Sequence, residues 1–184
     1  MLVQRERSCL LVVDMQERLL PAMAGADSLL NQAEILIRAA KRLDLPIVVS
    51  EQYPKGLGAT HQSLRALLGN DVELLPKTHF SCTDDPAIRT KLQALVQQGK
   101  DQAVILGVEA HVCVLQSALG LPDIGLKPIV VGDAVASRKT ESRQMALDRM
   151  ARNGAEIVTT EMVLFEWLGR AGTPEFKELS ALIR

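Results

Sequence analysis

Short runs of consecutive apolar residues, rich in Val, Ile and Leu, alternate along the chain with longer stretches whose apolar positions recur every three or four residues. The first pattern marks strands buried on both faces, and the second marks the amphipathic helices that cover them. Cys9-Leu-Leu-Val-Val13 reads as a first strand. The stripe Leu29, Ala33, Leu36, Ala40, Leu43 predicts a helix after it, with Asp27 as its cap. Pro46-Ile-Val-Val-Ser50 is a second strand, followed by a Gly-containing loop over 53–58 and a short helix near 61–68. Glu73-Leu-Leu-Pro76 is a weaker third, and Asp85-Pro86 opens a helix that Gly99 stops. Ala103–Gly107 and Lys127–Gly132 are the fourth and fifth strands, followed by helices over about 111–119 and 140–153. Pro122 would kink any helix that runs on from the former. Glu156–Thr159 is a sixth strand, and Thr173-Pro174 opens a terminal helix. This β-α alternation predicts an α/β fold: a doubly wound, mostly parallel six-stranded sheet, Rossmann-like, with helices on both faces, in a single domain over 1–184.

Composition narrows what such a fold can do. The 184 residues are 47% apolar and 23% charged, usual for a globular protein, and 21 basic against 22 acidic side chains leave a net charge of −1. With no basic field and only five aromatic residues, the chain offers nucleic acid neither attraction nor a stacking surface. No run approaches the roughly 18 apolar residues that cross a bilayer, and the run ending at Val13 is too short for a signal peptide. A soluble cytoplasmic protein with no membrane partner is expected. Cys9, Cys82 and Cys113 are too few and too odd in number for a disulfide framework, so free thiols are expected.

Ligands of doubly wound sheets bind at the carboxyl ends of the strands, and four polar segments fall there: Asp14, Glu51-Gln52-Tyr53, Lys77, and 108–113. Each has an ordinary explanation. Asp14 suits a cap or a structural ion pair, Lys77 a solvated charge, and Cys113 a small buried apolar residue. Cys113 also falls near a predicted helix start, where the helix dipole favours a thiolate. His79-Phe-Ser-Cys82 has the spacing of half a zinc site, but no second pair completes it, so no metal is expected. Neither a Walker loop nor G-x-G-x-x-G follows the first strand, so no nucleotide cofactor is expected either.

Taken in order, Asp14-Met-Gln16, Pro76-Lys77, Gly107-Val-Glu-Ala-His-Val-Cys113-Val and Val130-Val-Gly-Asp133-Ala134 resemble the isochorismatase-like cysteine hydrolases over essentially the whole chain. Glu51-Gln-Tyr-Pro-Lys-Gly-Leu-Gly58 and Pro174-Glu-Phe-Lys177 resemble in particular the isochorismatase domain-containing subgroup. The resemblance implies a catalytic triad of Asp14, Lys77 and Cys113, and a cis peptide at Val108-Glu109 that aims the amides of Glu109 and Cys113 into an oxyanion hole. It also implies a homo-oligomer, a dimer or larger. The nicotinamidase branch binds metal through a D-x-H motif and a further histidine, where this chain has Glu51-Gln52-Tyr53, so a metal-free pocket is expected. Leu19, Gln52, Tyr53 and His111 are candidates to line it.

A thiol with a free pKa near 8.5 needs a cation or base to attack a carbonyl. A unit charge about 4 Å away at an effective dielectric near 20 supplies about 4 kcal/mol, enough to lower a thiol pKa by some units. Lys77 is therefore expected to hold Cys113 as thiolate, with Asp14 moving the proton. The expected activity is hydrolysis of a small amide-type C–N bond through a thioester. The alternative is a catalytically silent scaffold acting through assembly or ligand binding.

Overall fold

Strands β1 (Ser8–Val13), β2 (Ile47–Gln52), β3 (Leu74–Lys77), β4 (Gln102–Val108), β5 (Lys127–Ala136) and β6 (Glu156–Val158) form one parallel sheet in a computed structural model of the chain, which describes residues 1–183. Their order is β3-β2-β1-β4-β5-β6. The winding direction reverses between β1 and β4, so the loops leaving those strands diverge and open a crevice at their carboxyl ends. Register places the candidate residues along that rim. Val13 pairs with Ser50 on one side and Gly107 on the other, and Gln52 pairs with Lys77.

Every residue of β1 is buried, because both faces of the sheet are covered. Leu10 and Val12 face a layer built from α1 (Ala26–Arg42), α3 (Gln62–Leu68), α7 (Thr160–Leu168) and α8 (Pro174–Ser180), α2 being the single turn Pro54–Leu57. Cys9, Leu11 and Val13 face α4 (Pro86–Gln97), α5 (Leu115–Gly120) and α6 (Thr140–Arg152). The continuous apolar runs are thus central strands of a three-layer sandwich, as their pattern predicts.

The departures have local causes. Helix α1 is not capped by Asp27: Gly25, at φ 73°, takes the cap position, and Asp27 sits in the first turn. Left-handed backbone is cheap for glycine, so the chain enters the helix without a side-chain cap. β5 continues past Gly132 to Ala136, with a register shift against Ile105 and Gly107 that carries the strand over the rim. The segment expected as an α-helix from 111 begins instead as a π-helical turn, Ala110–Val114, before α5. Pro122 does not kink a helix. It starts a separate 3₁₀ turn, Leu121–Ile124, which Gly125 ends. Helix α7, absent from the sequence-based reading, is apolar nearly all round, which hides the helical period.

Gly107 of β4 pairs with Val13 of β1. At φ 129°, any Cβ there would lie 2.0 Å from the carbonyl oxygen of Val13, so only glycine fits. Gly107→Ala should lower the free energy of unfolding in urea by at least about 2 kcal/mol, the strand having to shift. A change within about 0.5 kcal/mol would contradict this contact.

Candidate active site

Asp14 leaves β1 in the left-handed region at φ 53°, a conformation uncommon outside glycine. The turn sends its side chain into the crevice, where it is fully buried. Its two carboxylate oxygens are divided between two donors. Ser50 Oγ donates to Oδ1 at 2.7 Å, and Lys77 Nζ donates to Oδ2 at 2.8 Å. Lys77, the last residue of β3, is 2% exposed and surrounded by oxygen. Besides Asp14 it donates to Gln52 Oε1 at 2.6 Å and to the carbonyls of His79 and Phe80 at 3.2 and 3.1 Å.

Two opposite charges 2.8 Å apart attract by about 6 kcal/mol at an effective dielectric near 20, while removing each ion from water costs several kcal/mol. The pair therefore adds little net stability. Its carbonyl and carboxamide cradle keeps it charged. Burial works against the Lys77 ammonium, but Asp14 above all outweighs it, and the lysine stays above its ordinary range.

Cys113 sits in the π-helical turn after β4, 6% exposed, with its thiol against Asp14. Its proton does not follow the sequence-based expectation. Burial, then the negative charge of Asp14, push the thiol up to about 12, and Lys77 only partly opposes them. Burial and Asp14 together favour the thiol form of Cys113 over a thiolate held by the ammonium. The lysine's donors are committed to Asp14, Gln52 and two carbonyls, whereas the sulfur has left water.

The Val108-Glu109 peptide is cis. The Glu109 side chain turns away from the thiol, accepting from the Arg138 amide at 3.0 Å and from Arg138 Nε at 3.1 Å. Burial opposes the Glu109 carboxylate, but these bonds, with the Arg138 charge, bring it below the usual carboxylate range. His111 Nδ1 pairs with Ser137 Oγ at 2.9 Å.

The other candidates separate. Gln52 is engaged on both ends of its amide: Lys77 takes its oxygen, and its nitrogen donates to the Thr78 carbonyl at 3.0 Å. Tyr53, at φ 37°, is 55% exposed at the rim. Leu19 packs against the α1 layer. His111 borders a cavity of about 680 Å³ that runs between the π-helical turn and α6, past Leu115, Met145, Arg149 and Arg152. This cavity meets the site only at His111. His79 is exposed and Cys82 is buried, so they do not form a ligand pair, and no metal-binding cluster occurs among the described residues.

Two residues of the site carried no sequence signal. Ser50 reads as the end of an apolar strand, and Cys82 as half of a zinc pair. Cys82 is fully buried beside Asp14 and Lys77, touching the hydroxyls of Ser117 and Ser50. Burial first, then Asp14, raise its thiol above the ordinary range.

Because Asp14 and Lys77 lie wholly inside the protein, removing one leaves the other uncompensated. Lys77→Met should destabilise the fold by about 3–5 kcal/mol. Asp14→Asn combined with Lys77→Met should recover most of that loss in a double-mutant cycle. Additive losses would show that the two charges do not depend on each other.

The isochorismatase domain model matches residues 8–162, a span that includes Asp14, Lys77 and Cys113. Isochorismatase domain-containing protein 1 of Danio rerio is 39% identical over 173 residues, 93% of this chain. The chain spans 59% of that relative's length. Among solved structures, the MAR1 ribonuclease of Caenorhabditis elegans superposes with a TM-score of 0.91 at 34% identity, over 100% of this chain and 92% of that one. The YcaC gene product of Escherichia coli, described as an octameric hydrolase of unknown specificity, gives 0.89 at 25% identity over 98% and 90%. No helix among the described residues is long and apolar enough to cross a membrane. With a parallel sheet reversing at β1 and β4 and a domain match over most of its length, the chain belongs to the isochorismatase family.

Proposed function

We propose that this protein is a hydrolase that cleaves a small amide-type C–N bond through a thioester on Cys113, with Asp14 as proton carrier and Lys77 as fixed cation. The observation that carries this reading is the convergence of a thiol, a carboxylate and an ammonium from three separate strand exits on one buried point.

The raised thiol sets the order of events. As Cys113 Sγ forms its bond to the substrate carbonyl carbon, its proton passes to Asp14, and the carbonyl oxygen takes up negative charge. The Lys77 ammonium then faces a sulfur that is losing its proton and an Asp14 that is gaining it, so its field acts during the transfer rather than before it. The amides of Glu109 and Cys113 receive the oxyanion. Collapse breaks the C–N bond, and Asp14 returns the proton to the leaving nitrogen. Water then attacks the thioester, gives a proton to Asp14 and releases the acid, and the sulfur recovers its proton.

A nucleophile 6% exposed beneath the rim suits a small substrate better than a polymer. By analogy with the octameric relative, we take the chain to act as a homo-oligomer, which would cover exposed apolar side chains such as Met145 and Phe80. A screen of small amides and carbamates, with RNA as a separate arm because of the ribonuclease relative, tests the reading. Cys113→Ala should abolish turnover and the acyl-enzyme seen by intact mass, and Asp14→Asn should lower the rate by at least about 100-fold. Undiminished hydrolysis by Cys113→Ala, or cleavage of RNA alone, would refute it.

A further inference from the structure

Behind the three side chains lies a buried line of small polar groups that the proposed reaction does not use. Ser50 is fully buried near the end of β2, and its Oγ donates to Asp14 Oδ1 at 2.7 Å. Its carbonyl accepts the Asp14 amide at 3.1 Å, so one residue grips both the backbone and the carboxylate of Asp14. Cys82, also fully buried, touches the hydroxyls of Ser50 and Ser117, and Ser117 Oγ accepts the Cys82 amide at 2.8 Å.

A hydroxyl has one hydrogen, and Ser50 gives its own to Asp14, so toward Cys82 its oxygen can only accept. The three residues before Ser50 in β2 are Ile47, Val48 and Val49, and an apolar side chain at 50 would match them. A buried hydroxyl is costly unless bonded, and this one bonds to Asp14.

The carboxylate torsion of an aspartate is soft and nearly two-fold. Without a donor on Oδ1, Asp14 could turn both oxygens toward the Lys77 ammonium and withdraw from the thiol. We propose that Ser50 is a positioning residue: it anchors Oδ1 of Asp14 so that Oδ2 stays with Lys77 and the carboxylate keeps a free lone pair toward Cys113. The proposal rests on Asp14 being the acceptor of the Cys113 proton.

The test needs no substrate. The rate at which acrylamide alkylates Cys113 is followed by intact mass across pH for the wild type, Asp14→Asn, Ser50→Ala and Ser50→Cys, with Cys113→Ala, alone and combined with Ser50→Cys, reporting labelling of the remaining thiols. Thermal unfolding of each variant verifies its fold. Ser50→Ala should slow alkylation about tenfold near neutrality and move the acidic fall-off upward by about one pH unit, the size of one hydrogen bond to a charged group. Ser50→Cys, which keeps a weaker donor of similar shape, should fall between, and serves alone should Ser50→Ala not fold. A Ser50→Ala profile matching the wild type, or slowed evenly at every pH with no rescue in Ser50→Cys, would overturn the positioning role while a slow Asp14→Asn left the triad standing. Equal rates in the wild type, Asp14→Asn and Ser50→Ala would overturn both.

Discussion

One buried ion pair organises the crevice: Lys77 donating to Asp14 at 2.8 Å, both side chains shut off from water. The two residues lie 63 positions apart, Asp14 just after β1 and Lys77 at the end of β3, strands that are not neighbours, and β2 runs between them. A charge pair of this kind can exist only where the sheet fixes both strand ends and where polar groups stand ready to replace water. Those groups come from β2 and the segment after β3: Ser50 for the carboxylate, and Gln52 with the carbonyls of His79 and Phe80 for the ammonium. The attraction is offset by desolvation, so the pair is better understood as preorganised charge than as a source of stability.

Cys113 takes its character from this arrangement. A π-helical turn brings its sulfur to the carboxylate side of the pair, and burial keeps the proton on sulfur. The cation waits beside a group that becomes negative only when the proton moves.

The architecture was legible in the sequence because strands buried on both faces must be continuous apolar runs, and each polar residue closing such a run lands on one rim. Asp14 and Lys77 are found that way, and Cys113 through the segment after the fourth strand. The protonation of Cys113 was not legible, since a local pattern does not reveal how much water a residue loses or which neighbour lies closer. Ser50 was hidden because a small polar residue ending an apolar strand looks like ordinary punctuation, and Cys82 because its partners come from β2 and α5. The Gly25 entry to α1 and the all-round apolar α7 escaped for local reasons, a backbone angle and the loss of amphipathic contrast.

The resting proton on Cys113 is the claim on which the chemistry turns, and the thiolate's ultraviolet absorbance, taken as the difference between the wild type and Cys113→Ser, reads it directly. The account predicts no thiolate at this position up to about pH 9, where an ordinary thiol is about half ionised. A thiolate signal half developed by about pH 7 would mean that Lys77 governs the sulfur at rest, and would contradict it.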